Sequence, residues 1–66
     1  MLEILEEIKD LIDNNLIEQE NTTVMSDLVR NQILKKINAS LFNGNNQRLS
    51  EIVLNGLVLE ILEERE

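Results

Sequence analysis

The sequence predicts an all-α protein: one small helical domain over residues 1–66, built from three helices and assembled as a helical homodimer. Three observations carry this reading. The chain is 42% apolar, nearly all Leu, Ile and Val, with no Pro to interrupt a helix and Phe42 as its one aromatic residue. Its first 17 residues are apolar at strictly helical spacing. Its last third is apolar on every side of a helical wheel, which a 66-residue chain can hardly cover from within.

The first helix is expected over residues 1–17. At 100° per residue, Met1, Ile4, Leu5, Ile8, Leu11, Ile12 and Leu16 fall within an arc of about 140°. Glu3, Glu6, Glu7, Asp10 and Asp13 occupy the opposite side. Early carboxylates suit the positive end of the helix dipole. Asp13, Asn14 and Asn15 offer a stop, because Asn tolerates the left-handed conformation that ends helices. Residues 18–23 are polar and read as a connection, with Thr22 or Thr23 able to cap the next helix.

The second helix is expected from Val24 to Phe42. Met25, Val29, Ile33, Ile37 and Leu41 form an i+4 row that Leu34 joins, while Val24, Leu28 and Phe42 lie elsewhere around the axis. That broad stripe suits contact with two neighbours. Residues 43–47 read as a loop, with Gly44 free to take a positive φ beyond the helix end.

The third helix is expected over Leu49–Leu62. Its nine apolar residues leave no gap wider than about 60° on the wheel, the pattern of a helix buried on all sides. A second subunit would supply the missing cover, through Ile52, Val53, Gly56, Leu57, Val58, Ile61 and Leu62. Gly56 would permit close approach of the two backbones, since Gly inside a helix costs about 1 kcal/mol relative to Ala. Asn55 is placed at the rim. A rival reading makes residues 51–60 a short β-hairpin beside two helices: Asn55–Gly56 between apolar triplets is a strong hairpin signal. Such a lone two-stranded unit is marginal, and its flanks are good helix formers.

Composition narrows function. Without His or Cys, the chain lacks the commonest general base, the thiolate nucleophile, the usual zinc ligands and any disulfide. No catalytic signature surrounds Ser26, Ser40 or Ser50, and Asp13–Asn14–Asn15 lacks the glycine of a calcium loop. The expectation is therefore a non-enzymatic protein, with no catalytic residue, cofactor or metal. A chain this short is marginal alone, and small scaffolds usually add a disulfide, a metal or a second subunit. Only the last is left. No apolar run exceeds three residues, too short for a membrane span, and the start Met1–Glu7 is acidic rather than basic, unlike a secretory leader. A soluble cytoplasmic protein is expected.

The net charge of −7 is uneven: −6 over residues 1–20, +3 over 21–50 and −4 over 51–66. The best candidate partner surface is the acidic row Glu3, Glu6, Glu7, Asp10 and Asp13, joined by Glu60, Glu63 and Glu64. Acids at a helix C-terminus oppose the dipole, so the group Glu60, Glu63, Glu64 and Glu66 reads first as a frayed, solvated tail, and alternatively as an end that meets a basic surface: Lys35 and Lys36 of a second subunit, or a foreign protein. The row could also copy a line of phosphates, making the chain a nucleic-acid mimic that inhibits a DNA- or RNA-binding protein. A third reading has Arg30, Lys35, Lys36 and Arg48 bind DNA directly, although the net charge opposes it.

The run Arg48-Leu49-Ser50-Glu51-Ile52-Val53-Leu54-Asn55-Gly56-Leu57 resembles the last helix of the Hha/YmoA family. The shared pattern is Arg-Leu-x-Glu, an aliphatic pair, then Asn-x-Leu. It covers ten of 66 residues and does not extend into the first two helices, and that family is richer in aromatic and basic residues. Its members are small all-helical proteins that modulate nucleoid-associated proteins by binding them, so the resemblance implies a protein-binding adaptor. The functional expectation is a protein-binding regulator, adaptor or inhibitor acting through a small acidic helical surface.

Overall fold

The structure is a computed structural model that describes residues 2–65. Met1 and Glu66, counted above in the first helix stripe and the C-terminal acidic group, lie outside the described residues, as does the Leu2 side chain. The element order is α1 (Leu2–Asn15), β1 (Ile17–Gln19), β2 (Thr22–Val24), α2 (Asp27–Phe42) and α3 (Gln47–Glu64). The fold is thus all-α with three helices, plus a short two-stranded antiparallel hairpin.

α1 forms where the clean apolar stripe demands it and ends within the Asp13–Asn15 run; the Asn15 side chain donates back to the Leu11 carbonyl at 2.8 Å. Its stripe delivers Ile8 and Ile12 to the core, both fully buried. α2 starts three residues later than expected. Its cap is Ser26, whose Oγ accepts from the Val29 N–H at 3.3 Å, in place of Thr22 or Thr23. At its far end Asn43 (φ 53°) and Gly44 (φ 77°) both turn left-handed. Their N–H groups donate to the Asn38 carbonyl, satisfying an oxygen the helix end would otherwise orphan. Asn46 then caps α3, its Oδ1 accepting from the Leu49 N–H at 3.0 Å. The Asn38 side chain accepts from the Asn46 N–H at 2.9 Å and pins that corner to α2.

Two corrections concern β-structure. The hairpin sits at Ile17–Val24, over the residues 18–23 expected to be a plain connection and taking Ile17 and Val24 from the two expected helices, with register Ile17↔Val24, Glu18↔Thr23 and Gln19↔Thr22. Its turn carries none of the usual glycine signal: Glu20 takes the positive φ of 55°, a conformation that is uncommon for non-glycine residues. Conversely, Asn55–Gly56 lies inside continuous helix, so the hairpin alternative for residues 51–60 is overturned. There the helix-forming flanks and the burial of Leu54 and Ile61 on one face outweigh the local turn preference.

The core is one aliphatic cluster: Ile8 and Ile12 from α1, Ile33, Leu34 and Ile37 from α2, Leu54 and Ile61 from α3. Ser50 is also fully buried, and its hydroxyl donates to the Asn46 carbonyl at 2.8 Å. Cα extents of 37 × 23 × 16 Å leave room for two layers of helix in the thin direction, since two layers span about 13–15 Å. α3 is therefore not the enclosed helix its composition suggested. One face packs on α1 and α2, while Leu49, Ile52 and Leu59 on its other side are 42, 58 and 63% exposed.

This partition is testable by urea unfolding. Leu54→Ala should cost about 2–5 kcal/mol, the range for a buried leucine. Leu28→Ala, at a position 70% exposed, should stay within about 0.5 kcal/mol of the wild type.

Candidate protein-binding surface

The five carboxylates of the α1 row, Glu3, Glu6, Glu7, Asp10 and Asp13, are all exposed, as the helical spacing requires. The fold brings part of this row against the end of α3. Glu6, Lys9, Asp10 and Asp13 of α1 line a groove of about 410 Å³ together with Ile61, Glu64 and Arg65. Glu3 and Glu7 lie outside its lining, and Glu63 projects from the other face of α3. Of the acidic set expected to act together, the structure assembles Glu6, Asp10, Asp13 and Glu64, with Glu60 at the edge.

Two cations hold that assembly. Lys9 Nζ donates to Glu64 Oε1 at 2.6 Å and to Glu60 Oε1 at 3.2 Å. Arg65 Nη2 donates to Asp13 Oδ1 at 2.6 Å and to the Asp13 carbonyl at 3.1 Å, and Nη1 lies 3.8 Å from Glu18 Oε1 of the hairpin. Glu60 and Glu64, near the C-terminal end of α3 and unfavourable toward that helix's own dipole, thus meet a cation from α1 within the same chain, whereas Glu63 does not. The Asp13 carbonyl belongs to the last turn of α1, where carbonyls lack intrahelical donors, so Arg65 satisfies an orphan acceptor as well as a charge.

These roles were not read from the sequence. Lys9 and Arg65 are the single cations in the two acidic ends of the chain, and that isolation is the signal that could have marked them. The Glu60 and Glu64 hydrogen bonds hold the Lys9 ammonium above its ordinary value of 10.5.

The cations of the alternative DNA-binding reading are placed differently. Arg30 is half-buried on the side of α2 that faces α3, its Nη2 3.5 Å from Asn55 Oδ1. Lys35 and Lys36 are exposed on α2, and Arg48 is exposed in the first turn of α3. Lys35 lines a second hollow of about 370 Å³ with Asn31, Leu34, Asn38 and Gln47.

The residues expected to self-associate also separate. Ile61 is 3% exposed within its own chain's core, and Val53, Leu57 and Val58 are half-buried against that core. Leu62 is half-buried, while Ile52 and Gly56 are exposed. Leu49 and Leu59, absent from the expected set, share the exposed side; the seven-residue spacing of Ile52 and Leu59 was the available sign.

Among the described residues, no group of three or more carboxylates is placed to hold a metal ion, and no helix is long and apolar enough to cross a membrane. Comparison with protein families, curated proteins and solved structures found no match to this chain.

The Lys9 bridge makes a pH prediction. A lysine whose value is raised in the folded state stabilises fully below its unfolded value and loses that contribution as pH rises through the folded one. The stability gap between wild type and Lys9→Met, followed by urea unfolding, should be constant from neutral pH to about 9 and close above about 10.5.

Proposed function

We propose that the chain is a non-enzymatic protein-binding module that regulates, adapts or inhibits a partner by occupying a basic surface on it. The observation that carries this reading is the groove between α1 and the end of α3. Its ionisable lining consists of four carboxylates against two cations, held in fixed relation by the Lys9 and Arg65 bridges. Charged grooves of one prevailing sign steer oppositely charged partners and set their register. Lys9 and Arg65 give the surface a pattern of both signs, which favours a protein with matching acceptors over a plain phosphate-binding channel.

Nucleic-acid mimicry is the second reading, supported by the exposed Glu3 and Glu7, which continue the acidic surface past the groove. Direct DNA binding through Arg30, Lys35, Lys36 and Arg48 is weaker, because Arg30 is directed toward α3.

The test is retention of partner proteins on the immobilised chain, compared with Glu6→Lys/Asp10→Lys and with Glu3→Lys/Glu7→Lys. The groove reading expects the first pair to abolish retention and the second to weaken it severalfold at most. Mimicry expects both pairs to abolish it, and expects duplex DNA to compete. Retention unchanged by either pair would remove the acidic surface from the function.

A further inference from the structure

A second surface lies on the opposite side of α3 from the acidic groove. Arg48, Ile52, Asn55, Gly56, Leu59 and Glu63 fall within an arc of about 100° on the helical wheel. All six are exposed. Ile52 and Leu59, at 58% and 63%, present most of their apolar surface to solvent. Among the described residues, neither Arg48 nor Glu63 has an ion-pair partner within the chain.

Gly56 is the anomaly of this face. It costs helix stability, yet a Cβ built there would meet nothing within 4 Å. The chain's own packing therefore does not require a glycine. The open space above it is where a second helix could approach closely.

The order of residues along this face identifies that helix. Arg48 and Glu63 are equidistant from the Asn55–Gly56 bond, and so are Ile52 and Leu59. The face is its own complement when reversed. We propose that α3 pairs with α3 of a second copy, antiparallel, about a two-fold axis at Asn55–Gly56. Ile52 of one copy then packs on Leu59 of the other, twice, and Arg48 meets Glu63, twice. Leu49 and Leu62 stand opposite each other at the flanks. A two-fold contact is isologous, so each residue's contact occurs in both directions. Antiparallel helix dipoles oppose favourably, and the partner's Arg48 lies where Glu63 otherwise sits uncompensated at a helix C-terminus. A parallel pairing would set Arg48 against Arg48 and Glu63 against Glu63.

This interface differs from the one expected from composition. It uses Ile52 and Gly56, replaces the core-facing Ile61 with Leu59, and takes Glu63 out of the acidic partner surface. It leaves the groove open, so its failure would not touch the protein-binding proposal.

The test begins with mass by light scattering behind a sizing column, with refractive-index detection because the chain has no Trp or Tyr. Twice the 7.6 kDa chain mass is expected. Ile52→Glu should weaken association roughly a hundredfold or more, because it places two unpaired carboxylates in an apolar seam; unchanged circular dichroism would show the monomer still folded. Arg48→Glu and Glu63→Arg should each weaken it severalfold at low salt, and the double exchange should restore it. Since the native chain has no Cys, introduced cysteines report geometry cleanly. Asn55→Cys should cross-link to itself, whereas Arg48→Cys should cross-link only to Glu63→Cys. A monomer at every accessible concentration, a dimer indifferent to Ile52→Glu, or Arg48→Cys cross-linking to itself would each overturn the proposal.

Discussion

The structure depends on a single constraint: α3 must bury one face between α1 and α2. Leu54 and Ile61 join Ile8, Ile12, Ile33 and Ile37 in the only sizeable apolar cluster among the described residues. A chain without disulfides or thiolate metal sites has little besides such burial to offset the entropy of ordering its backbone. The polar details serve that packing. Ser26 and Asn46 cap α2 and α3, and Asn43 and Gly44 turn the chain so that α3 can lie back on α2. The short surface hairpin carries the chain from the end of α1 to the start of α2.

The same arrangement explains the electrostatics. Joining α1 to α2 through a compact hairpin places the C-terminal ends of α1 and α3 side by side. Two acidic segments that would repel as isolated helices therefore converge. Lys9 and Arg65, each alone among acids in the sequence, become bridges across the junction. The groove is acidic because the fold collects carboxylates there, and it is patterned because Lys9 and Arg65 lie among them.

α3 presents two faces. Its inner face belongs to the chain's core, and its outer face exposes an apolar and charged pattern that matches itself on reversal. In a two-layer protein no helix can be enclosed, so an excess of apolar residues on α3 must reach the surface. Composition alone cannot separate residues buried within the chain from those left on its surface. Ile61 and Leu59 look equivalent in the sequence and lie on opposite sides of the helix.

What the sequence determined by itself was the class of the fold and the chemistry available to it. Helical spacing over residues 1–17, the i+4 row of α2 and the absence of Pro were enough for an all-α fold and its first two helices, because local periodicity decides which face can be buried. The missing His and Cys were equally legible, since they are a matter of inventory. The exposed acidic row of α1 followed from the same periodicity. Tertiary structure alone decided the rest. The hairpin at Ile17–Val24 has no glycine turn to announce it, and its position is set by the need to connect two packed helices. Asn55–Gly56 is helical because burial of Leu54 and Ile61 overrides a local turn preference. The bridges from Lys9 to Glu60 and Glu64, and from Arg65 to Asp13, join residues more than 50 positions apart, and no local pattern encodes such a contact before the core has brought the two helix ends together.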